Sequence, residues 1–212
     1  MIKCFNFDYD YTELSSNTYI IGEKYGPCVI IDLGSTQRKI SDYIKENHSE
    51  VKAILLTHNH FDHIRGIDKF LEKFSNVPIY IDEYDYEGLK NSKLNCSLIE
   101  GHPFIVKANN VFKVKNQQIL DFGKNLLFKV YETPFHTDGS VCYLNEDINA
   151  LFSGDTLFKG SIGRADLPTS NRNLIRSSLD IVKKFNENLV VYPGHGETTT
   201  IKEELLNNYY LK

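Results

Sequence analysis

The feature of the sequence that most constrains its fold is the stretch VKAILLTHNHFDH, residues 51–63, where an apolar run leads directly into three histidines and an aspartate. A continuous apolar run of this length is typical of a buried strand. From Asp62 onward the apolar residues recur at helical spacing, at Ile64, Ile67, Phe70, Leu71 and Phe74. The histidine cluster is therefore predicted to lie where a buried strand turns into a helix.

Strands and helices are predicted along most of the remaining chain. Apolar and β-branched runs predict strands at residues 13–22, 27–34, 76–82, 111–115, 117–122, 126–134, 141–146, 149–155 and 188–194. Helical spacing and composition predict helices at residues 37–47, 173–185 and from about Thr199. Residues 83–110 are polar and are expected to hold a helix and a long loop, with the acidic run at 82–87 as an exposed helix start. This order predicts an α/β fold of two packed sheets with helices on both outer faces, in a single domain over residues 1–212.

The composition argues against several classes of protein. The formal net charge is −4 and lysine and arginine are not clustered, so a nucleic-acid surface is not expected. The longest apolar runs fall far short of the roughly 18 residues that cross a bilayer, and the acidic N-terminus does not resemble a secretory signal. We therefore expect a cytoplasmic protein that binds no membrane. The four scattered cysteines form no CxxC pair and are expected to be reduced thiols.

The spacing of the histidines at residues 58–63 suits metal binding. Neutral imidazole is a common ligand for borderline metal ions near neutral pH. His58 and His60 are two residues apart and project to the same side of an extended chain, and His63 comes close to His60 once the helix begins. Asp62 can add a carboxylate oxygen. The plainer interpretation, in which Asp62 only caps a helix, does not explain three histidines at one junction.

Three further residues that could bind metal follow other predicted strands. His136 lies in TPFHTDGS, Asp155 in SGDTLF and His195 in YPGHGE. Each of them alone would more often be an ordinary loop residue. Because functional loops are commonly mounted at strand ends, their combination with residues 58–63 favours a metal site.

The motifs THNHFDH, TPFHTDGS, GDTLF and PGHG, in this order, resemble those of the metallo-β-lactamase superfamily, and within it the glyoxalase II-like hydrolases. The resemblance begins with NTYII and VIIDLG and covers nearly the whole chain. It implies a four-layer αββα sandwich with a two-metal site at one edge. The implied ligands are His58, His60 and His136 for the first metal, Asp62, His63 and His195 for the second, and Asp155 as a bridge between them. Asp32 matches an aspartate that supports such sites from behind the ligands, although a turn aspartate before Gly34 is an equal alternative.

The resemblance also implies a reaction. Two divalent metal ions, with zinc expected before iron or manganese, would trap a bridging hydroxide that attacks a small thioester such as a hydroxyacyl-glutathione. Asp62 is the catalytic residue expected to orient or deprotonate the water. Arg164 falls near the position where glyoxalase II enzymes place a basic residue for the thiol's carboxylate. A loop-stabilising contact from Arg164 to Asp166 is the alternative for this residue.

The same residues distinguish this sequence from other members of the superfamily. Many class B lactamases are exported and carry a cysteine at the position of Asp155, flavodiiron proteins have a glutamate at that of His60, and the RNA-processing nucleases insert a further domain. The alternative enzyme is a persulfide dioxygenase with one iron, held by His58, His136 and Asp155. The stretch GSIGRADL at residues 160–167 occurs in both groups and does not decide between them. A non-catalytic relative is disfavoured because none of the seven ligands is missing.

The end of the sequence bears on the substrate. Full-length glyoxalase II enzymes carry a C-terminal helical domain that binds glutathione, whereas this chain ends seventeen residues after His195, with GETTT where a tyrosine is expected. The expectation is a short glyoxalase II-like form, a monomer or homodimer, that acts on a small-molecule thioester whose thiol carrier the sequence leaves open.

Overall fold

The predicted strands assemble into two six-stranded sheets in the computed structural model, which describes residues 1–6 and 15–212. The first half of the chain forms one sheet and the second half forms the other. Residues 13 and 14 of the predicted strand 13–22 lie outside the described residues. The described part of that stretch becomes a strand at Thr18.

The first sheet is antiparallel at one side and parallel at the other. Its strands are β1 (Ile2–Phe5), β2 (Thr18–Gly22), β3 (Pro27–Ile31), β4 (Glu50–Leu55), β5 (Ile79–Asp82) and β6 (Val111–Val114), paired in that order. Strands β1 to β3 pair antiparallel, and β3 to β6 pair parallel. Strands β3 and β4 therefore end at the same edge of the sheet.

The second sheet is antiparallel except for one pair. Its strands are β7 (Ile119–Asp121), β8 (Leu127–Glu132), β9 (Val141–Asn145), β10 (Ala150–Gly154), β11 (Val190–Pro193) and β12 (Thr199–Thr200), in the spatial order β12-β11-β10-β9-β8-β7. Strands β10 and β11 pair parallel, and β8 and β10 each pair antiparallel with β9. Strands β8, β10 and β11 therefore all run in one direction and end at one edge.

Helices cover the outer face of each sheet. They are α1 (Arg38–Asn47), α2 (Phe61–Ile64), α3 (Ile67–Leu71), α4 (Ile175–Val182) and α5 (Ile201–Asn207). One apolar cluster joins α1, α2 and α3 to the first sheet, a second lies between the two sheets, and a third joins α4 and α5 to the second sheet. The predicted four-layer αββα sandwich is confirmed. No helix among the described residues has the length and apolar character that crossing a bilayer requires.

Hydrogen bonds join the two sheets at the edge where the strands β4 and β10 end. The Tyr143 hydroxyl donates to the Leu56 carbonyl oxygen at 2.9 Å, and the Val141 amide donates to the Thr57 carbonyl oxygen at 2.9 Å. The Asn17 amide, next to β2, donates to the Gly194 carbonyl oxygen after β11 at 2.6 Å. Loops from both sheets are thus held against one another at this edge.

The helix predicted to run on from Asp62 is divided into α2 and α3 at Gly66. The Gly66 amide donates to the Leu33 carbonyl oxygen at 2.9 Å, and a Cβ at this position would collide with the backbone of Ser35. Close packing against the turn after β3 therefore divides the helix, although the apolar stripe continues across both halves.

The prediction that residues 82–87 form an exposed helix start is wrong for two of the acids. Asp82 ends β5 and is fully buried, and Asp85 is 2% exposed. The Asp82 carboxylate accepts the Tyr84 amide at 3.0 Å, and a 3-10 turn at Tyr86–Lys90 follows. Local hydrogen bonding of this kind leaves no periodic signal in the sequence.

Candidate metal centre

The seven predicted ligands lie together at one edge of the sandwich, because each follows a strand that ends there. Residues 58–63 follow β4, His136 follows β8, Asp155 follows β10 and His195 follows β11. The four histidines other than His195 are at most 3% exposed. The side chains of Asp155, Asp62 and His195 keep exposures of 10%, 14% and 29%, so the cluster is reached from this side.

The ligand atoms form overlapping groups. Three sets of three residues each offer atoms that lie within 4.8 Å of one another. These sets are His58, His60 and His136; Asp62, His63 and His195; and His58, His63 and Asp155. The first two sets are those that the resemblance implies for two metals.

Asp155 lies between the two groups. Its Oδ1 is 3.3 Å from His63 Nε2 and 3.9 Å from His195 Nε2. Its Oδ2 is 3.3 Å from His136 Nε2. Because one of its oxygens faces each group, this carboxylate could contribute a ligand atom to both.

Hydrogen bonds behind the cluster fix the orientation of His58. The Thr57 hydroxyl donates to Asp32 Oδ2 at 2.8 Å, so its oxygen is left to accept from His58 Nδ1 at 3.1 Å. We therefore assign the proton of His58 to Nδ1. Its Nε2 is buried without a protein partner among the described residues and faces the cluster with a free lone pair.

Asp32 orients a second histidine. Its Oδ2 lies 2.8 Å from His63 Nδ1, and its Oδ1 accepts the Thr57 amide at 2.8 Å. The carboxylate can only accept, so His63 Nδ1 donates and His63 Nε2 is directed into the cluster. Hydrogen bonds of this kind fix the tautomer of metal-binding histidines. Asp32 thus lies where the resemblance implies, and its φ of 53° is in the left-handed region.

The other two histidines of the first group face each other. His136 Nδ1 lies 2.8 Å from the Arg164 carbonyl oxygen, which can only accept, so the proton of His136 is on Nδ1. Its Nε2 lies 2.8 Å from His60 Nδ1, while His60 Nε2 is 3.1 Å from the Thr169 hydroxyl. Two imidazole nitrogens this close are suited to share a cation.

The cluster contains both neutral imidazoles and excess negative charge. Burial, together with the neighbouring histidines, lowers the pKa of His58, and burial and His136 lower that of His60 to about 3. Burial opposes ionisation of Asp62, but His63 and His195 outweigh it and bring the pKa of Asp62 to about 2. Burial also disfavours the charged form of His63, yet the carboxylates of Asp32, Asp62 and Asp155 raise the pKa of His63 to about 10.

This donor set fits divalent metal ions. Three atoms of the cluster, His58 Nε2, His63 Nε2 and Asp155 Oδ1, are among the buried side-chain atoms of the described residues that lack a hydrogen-bond partner. A buried polar atom without a partner is costly, and a cation would satisfy all of them. Imidazole and carboxylate ligands suit zinc, iron and manganese. The residues therefore fit a pair of divalent ions.

Two glycines that sequence reasoning did not single out leave room for the ligands. A Cβ at Gly194 would collide with Asp155 Oδ1 and lie 2.7 Å from the His63 ring. A Cβ at Gly163 would collide with the Asp155 backbone and lie 3.1 Å from His136 Nδ1. The sequence signal that could have identified them is their position in the motifs PGHG and GSIGRADL.

A buried aspartate that the sequence analysis missed joins the loops that carry the first group. The Asp85 carboxylate accepts the amides of Asn59 at 2.9 Å and Gly139 at 3.0 Å, and the Thr137 hydroxyl at 2.7 Å. The Asn59 side chain donates back to the Asp85 carbonyl oxygen at 3.2 Å. Asp85 therefore ties the loop of His58 and His60 to the loop of His136.

A cavity of about 250 Å³ opens onto the cluster. Beyond the ligands, its lining residues are Phe61, Cys96, Ile99, Glu100, Arg164 and Leu167. Arg164 lies at the mouth, where its guanidinium forms a bidentate pair with Asp166 through contacts of 2.6 and 2.9 Å. The alternative predicted for Arg164, a contact to Asp166, is therefore present.

Comparisons with known sequences agree with this architecture. The family model of the Metallo-beta-lactamase superfamily matches residues 11–195. The probable metallo-hydrolase YqgX of Bacillus subtilis is 35% identical over 186 residues, which cover 87% of each chain. The hydroxyacylglutathione hydrolase GloC of Haemophilus influenzae is 28% identical over 205 residues and 94% of each chain.

Solved structures are similar over most of the chain. The BLEG-1 B3 metallo-beta-lactamase superposes with a TM-score of 0.89 at 32% identity and covers 100% of both chains. TTHA1623, solved in a di-iron-bound form, superposes with a TM-score of 0.81 at 29% identity over 93% of this chain and 96% of that one.

Proposed function

The chain belongs to the metallo-beta-lactamase superfamily, and on that premise we propose that it is a metal-dependent hydrolase whose substrate is a small thioester. The observation that carries this proposal is the presence of two ligand groups with Asp155 between them. An enzyme that used only one metal would leave the group of Asp62, His63 and His195 without a function.

The proposal assigns the first ion to the histidine group and the second to the mixed group. His58, His60 and His136 would hold one ion, Asp62, His63 and His195 the other, and Asp155 would contact both. When bound, such a pair of ions lowers the pKa of a water molecule and polarises a carbonyl oxygen. Zinc is the first choice, and the di-iron form of TTHA1623 supports iron as the second.

Asp62 is the residue proposed to act on the attacking water. Its Oδ2 lies 3.0 Å from His195 Nε2 and 3.8 Å from His63 Nε2, and its carboxylate is 14% exposed toward the cavity. It can therefore accept a hydrogen bond from a water in the cavity and orient that water's lone pair toward a bound carbonyl. His195 beside it can stabilise the ionised carboxylate.

The thioester class is supported by chemistry and by one relative. A thiolate is a good leaving group, because thiols have a pKa of about 8.5, so no general acid is essential. GloC is named as a hydroxyacylglutathione hydrolase and aligns over 94% of the chain. The cavity, at about 250 Å³, is small for a ligand site and suits a short acyl group.

Two other reactions must be separated from this one by experiment. β-Lactam hydrolysis is a candidate because BLEG-1, 32% identical over its full length, is named a B3 metallo-beta-lactamase. Persulfide oxidation would need one iron at His58, His136 and Asp155 and oxygen as a second substrate.

The test combines a metal count with three assays on one preparation. Elemental analysis gives the metals per chain, and the protein is then assayed for hydrolysis of S-lactoyl thioesters, hydrolysis of a chromogenic cephalosporin and oxygen uptake with glutathione persulfide. Two metals with thioester cleavage as the fastest reaction are expected. One iron with oxygen uptake, or a faster β-lactam reaction, would overturn the proposal.

Variants sharpen this test. Asp155→Ala is expected to abolish activity. His63→Ala is expected to lose one metal per chain and to lower kcat by at least about 100-fold, since loss of a ligand disables a two-metal site. His102→Ala is the matched control, because His102 is exposed and lies outside the cluster. Unchanged thioesterase activity in His63→Ala would contradict the two-metal assignment.

A further inference from the structure

The mouth of the cavity offers no unpaired basic residue to a substrate. Of the described residues that line the cavity, Arg164 is the only lysine or arginine. Its Nε lies 2.6 Å from Asp166 Oδ1 and its Nη2 lies 2.9 Å from Asp166 Oδ2. A bidentate pair of this geometry uses the fork of the guanidinium that would otherwise bind a substrate carboxylate.

Both partners of this pair are charged at neutral pH. Hydrogen bonding from Arg164 lowers the pKa of Asp166 to about 2, and Asp166 in turn raises the pKa of Arg164. The loop between them is held by the Arg172 side chain, whose Nε donates to the Ala165 carbonyl oxygen at 3.0 Å. Arg164 is therefore neutralised in place.

The other charges near the mouth do not restore a binding site for an anion. Glu100 lines the cavity with a carboxylate. The ring of His195 contacts Phe158. Lys159, which follows Phe158 in the chain, donates from its Nζ to the Glu197 carboxylate at 2.6 Å. Among the described residues that line the cavity, the one lysine or arginine is thus already paired, and the Glu100 carboxylate would repel an anionic carrier.

The walls between the mouth and the metal ligands are largely apolar. Phe61, Ile99 and Leu167 line them together with the thiol of Cys96. The methylene groups of an uncharged chain attached to the sulfur of a thioester could lie against these side chains without bringing a charge out of water.

From this charge pattern we propose that the substrate is a thioester whose thiol is uncharged and has no carboxylate near its sulfur. This inference rests on the proposed thioesterase function and narrows it. Arg164 then shapes the mouth with Asp166 and does not bind a carboxylate of the thiol.

The test compares two thioesters that differ in one charge. S-lactoyl-N-acetylcysteamine is neutral, and the S-lactoyl thioester of 3-mercaptopropionate carries a carboxylate at a similar distance from the sulfur. The metal-loaded enzyme is expected to show a kcat/KM about tenfold or more higher for the neutral compound, mainly through KM, with a smaller ratio at high salt. S-lactoylglutathione is expected to behave like the anionic compound.

Two variants test whether the pair at the mouth causes the preference. Asp166→Asn frees the Arg164 guanidinium and is expected to reduce the ratio of neutral to anionic kcat/KM by at least about threefold. Asp180→Asn is the matched control, because Asp180 is a surface acid paired with Lys183 at 3.6 Å on α4. Asp180→Asn is expected to show the same ratio of neutral to anionic kcat/KM as the unmodified protein.

The outcomes separate this inference from the function on which it rests. If the anionic thioesters are cleaved as well as the neutral one, or if Asp166→Asn leaves the ratio unchanged, the carrier inference fails while the thioesterase function stands. If none of the thioesters is cleaved, the proposed function fails and takes this inference with it.

Discussion

A single carboxylate sets the orientation of two histidines in the candidate metal centre. Asp32 contacts His63 directly and reaches His58 through the hydroxyl of Thr57. The resemblance implies a place for Asp32 behind the ligands, and these contacts lie there. The sequence did not indicate the role of Thr57, because a threonine at a strand end carries no metal signal of its own.

Replacing Asp32 with asparagine is expected to weaken metal retention. The amide has one acceptor oxygen where the carboxylate has two, and its NH2 group faces a donor, so the three hydrogen bonds from Thr57 and His63 cannot all be kept and the hold on the His63 tautomer weakens. Loss of such a partner typically costs 10- to 100-fold in metal affinity or activity. Metal content after dialysis and kcat measure the effect, with Asp42→Asn as a surface control. Full metal content and full activity in Asp32→Asn would show that the hydrogen bonds do not position the ligands.

The order of strands and helices could be predicted from the sequence, because the apolar residues that each element buries recur at a spacing typical of a strand or of a helix. The helix at residues 37–47 and the strand at 51–57 were predicted within two residues of α1 and β4. The short strands β1 and β12 were missed, since Ile2–Phe5 and Thr199–Thr200 are too short to show a pattern. Residues 83–110 were missed in detail, because side-chain hydrogen bonds rather than periodic burial hold them.

Asp85 in that segment is expected to matter for the metal centre although it contacts no ligand side chain. Asp85→Asn replaces one acceptor oxygen with a donor, which faces the amide of either Asn59 or Gly139. The loops of His58, His60 and His136 would separate, so metal content should fall toward one per chain and kcat by about tenfold or more. Elemental analysis and initial rates give the two numbers. Asp82→Asn is the matched control, since Asp82 is equally buried three residues away and holds only the Tyr84 amide.

Asp82 itself is expected to affect stability rather than activity. Burial, with Glu132 and Asp85 nearby, raises the pKa of Asp82 to about 7. The folded state therefore keeps a proton that the unfolded chain loses above pH 4, so the contribution of Asp82 is full below pH 4 and is lost as the pH rises to about 7. Asp82→Asn should match the parent protein in stability at pH 4 and exceed it by about 4 kcal/mol at pH 8. Urea unfolding at both pH values measures this, and an equal difference at the two would contradict it.

At the scale of the whole molecule, the candidate metal centre joins the two sheets. Residues 58–63 come from the first sheet, whereas His136, Asp155 and His195 come from the second. The sequence predicted that these residues follow strands, but it could not give the direction in which each strand runs. Their convergence depends on β8, β10 and β11 running the same way, which long-range pairing determines.

Bound metal should therefore stabilise the whole fold. The group of His58, His60 and His136 spans both sheets, and the carboxylates of Asp62 and Asp155 repel each other without a cation. A ligand bound only by the folded state at 100 to 1,000 times its Kd adds about 3–4 kcal/mol. For a chain of this size, that corresponds to roughly 5–15 °C in Tm.

Removing metal with a chelator and restoring it tests this linkage. Tm is measured on the loaded protein, after chelation and dialysis, and after zinc or iron is added back, with metal counted in each sample. Tm should fall on removal and recover on addition, and His58→Ala should lose most of the response while His102→Ala keeps it. A Tm that stays constant while the metal count drops to zero would mean that the two sheets are held at this edge by their hydrogen bonds alone, with no contribution from an ion.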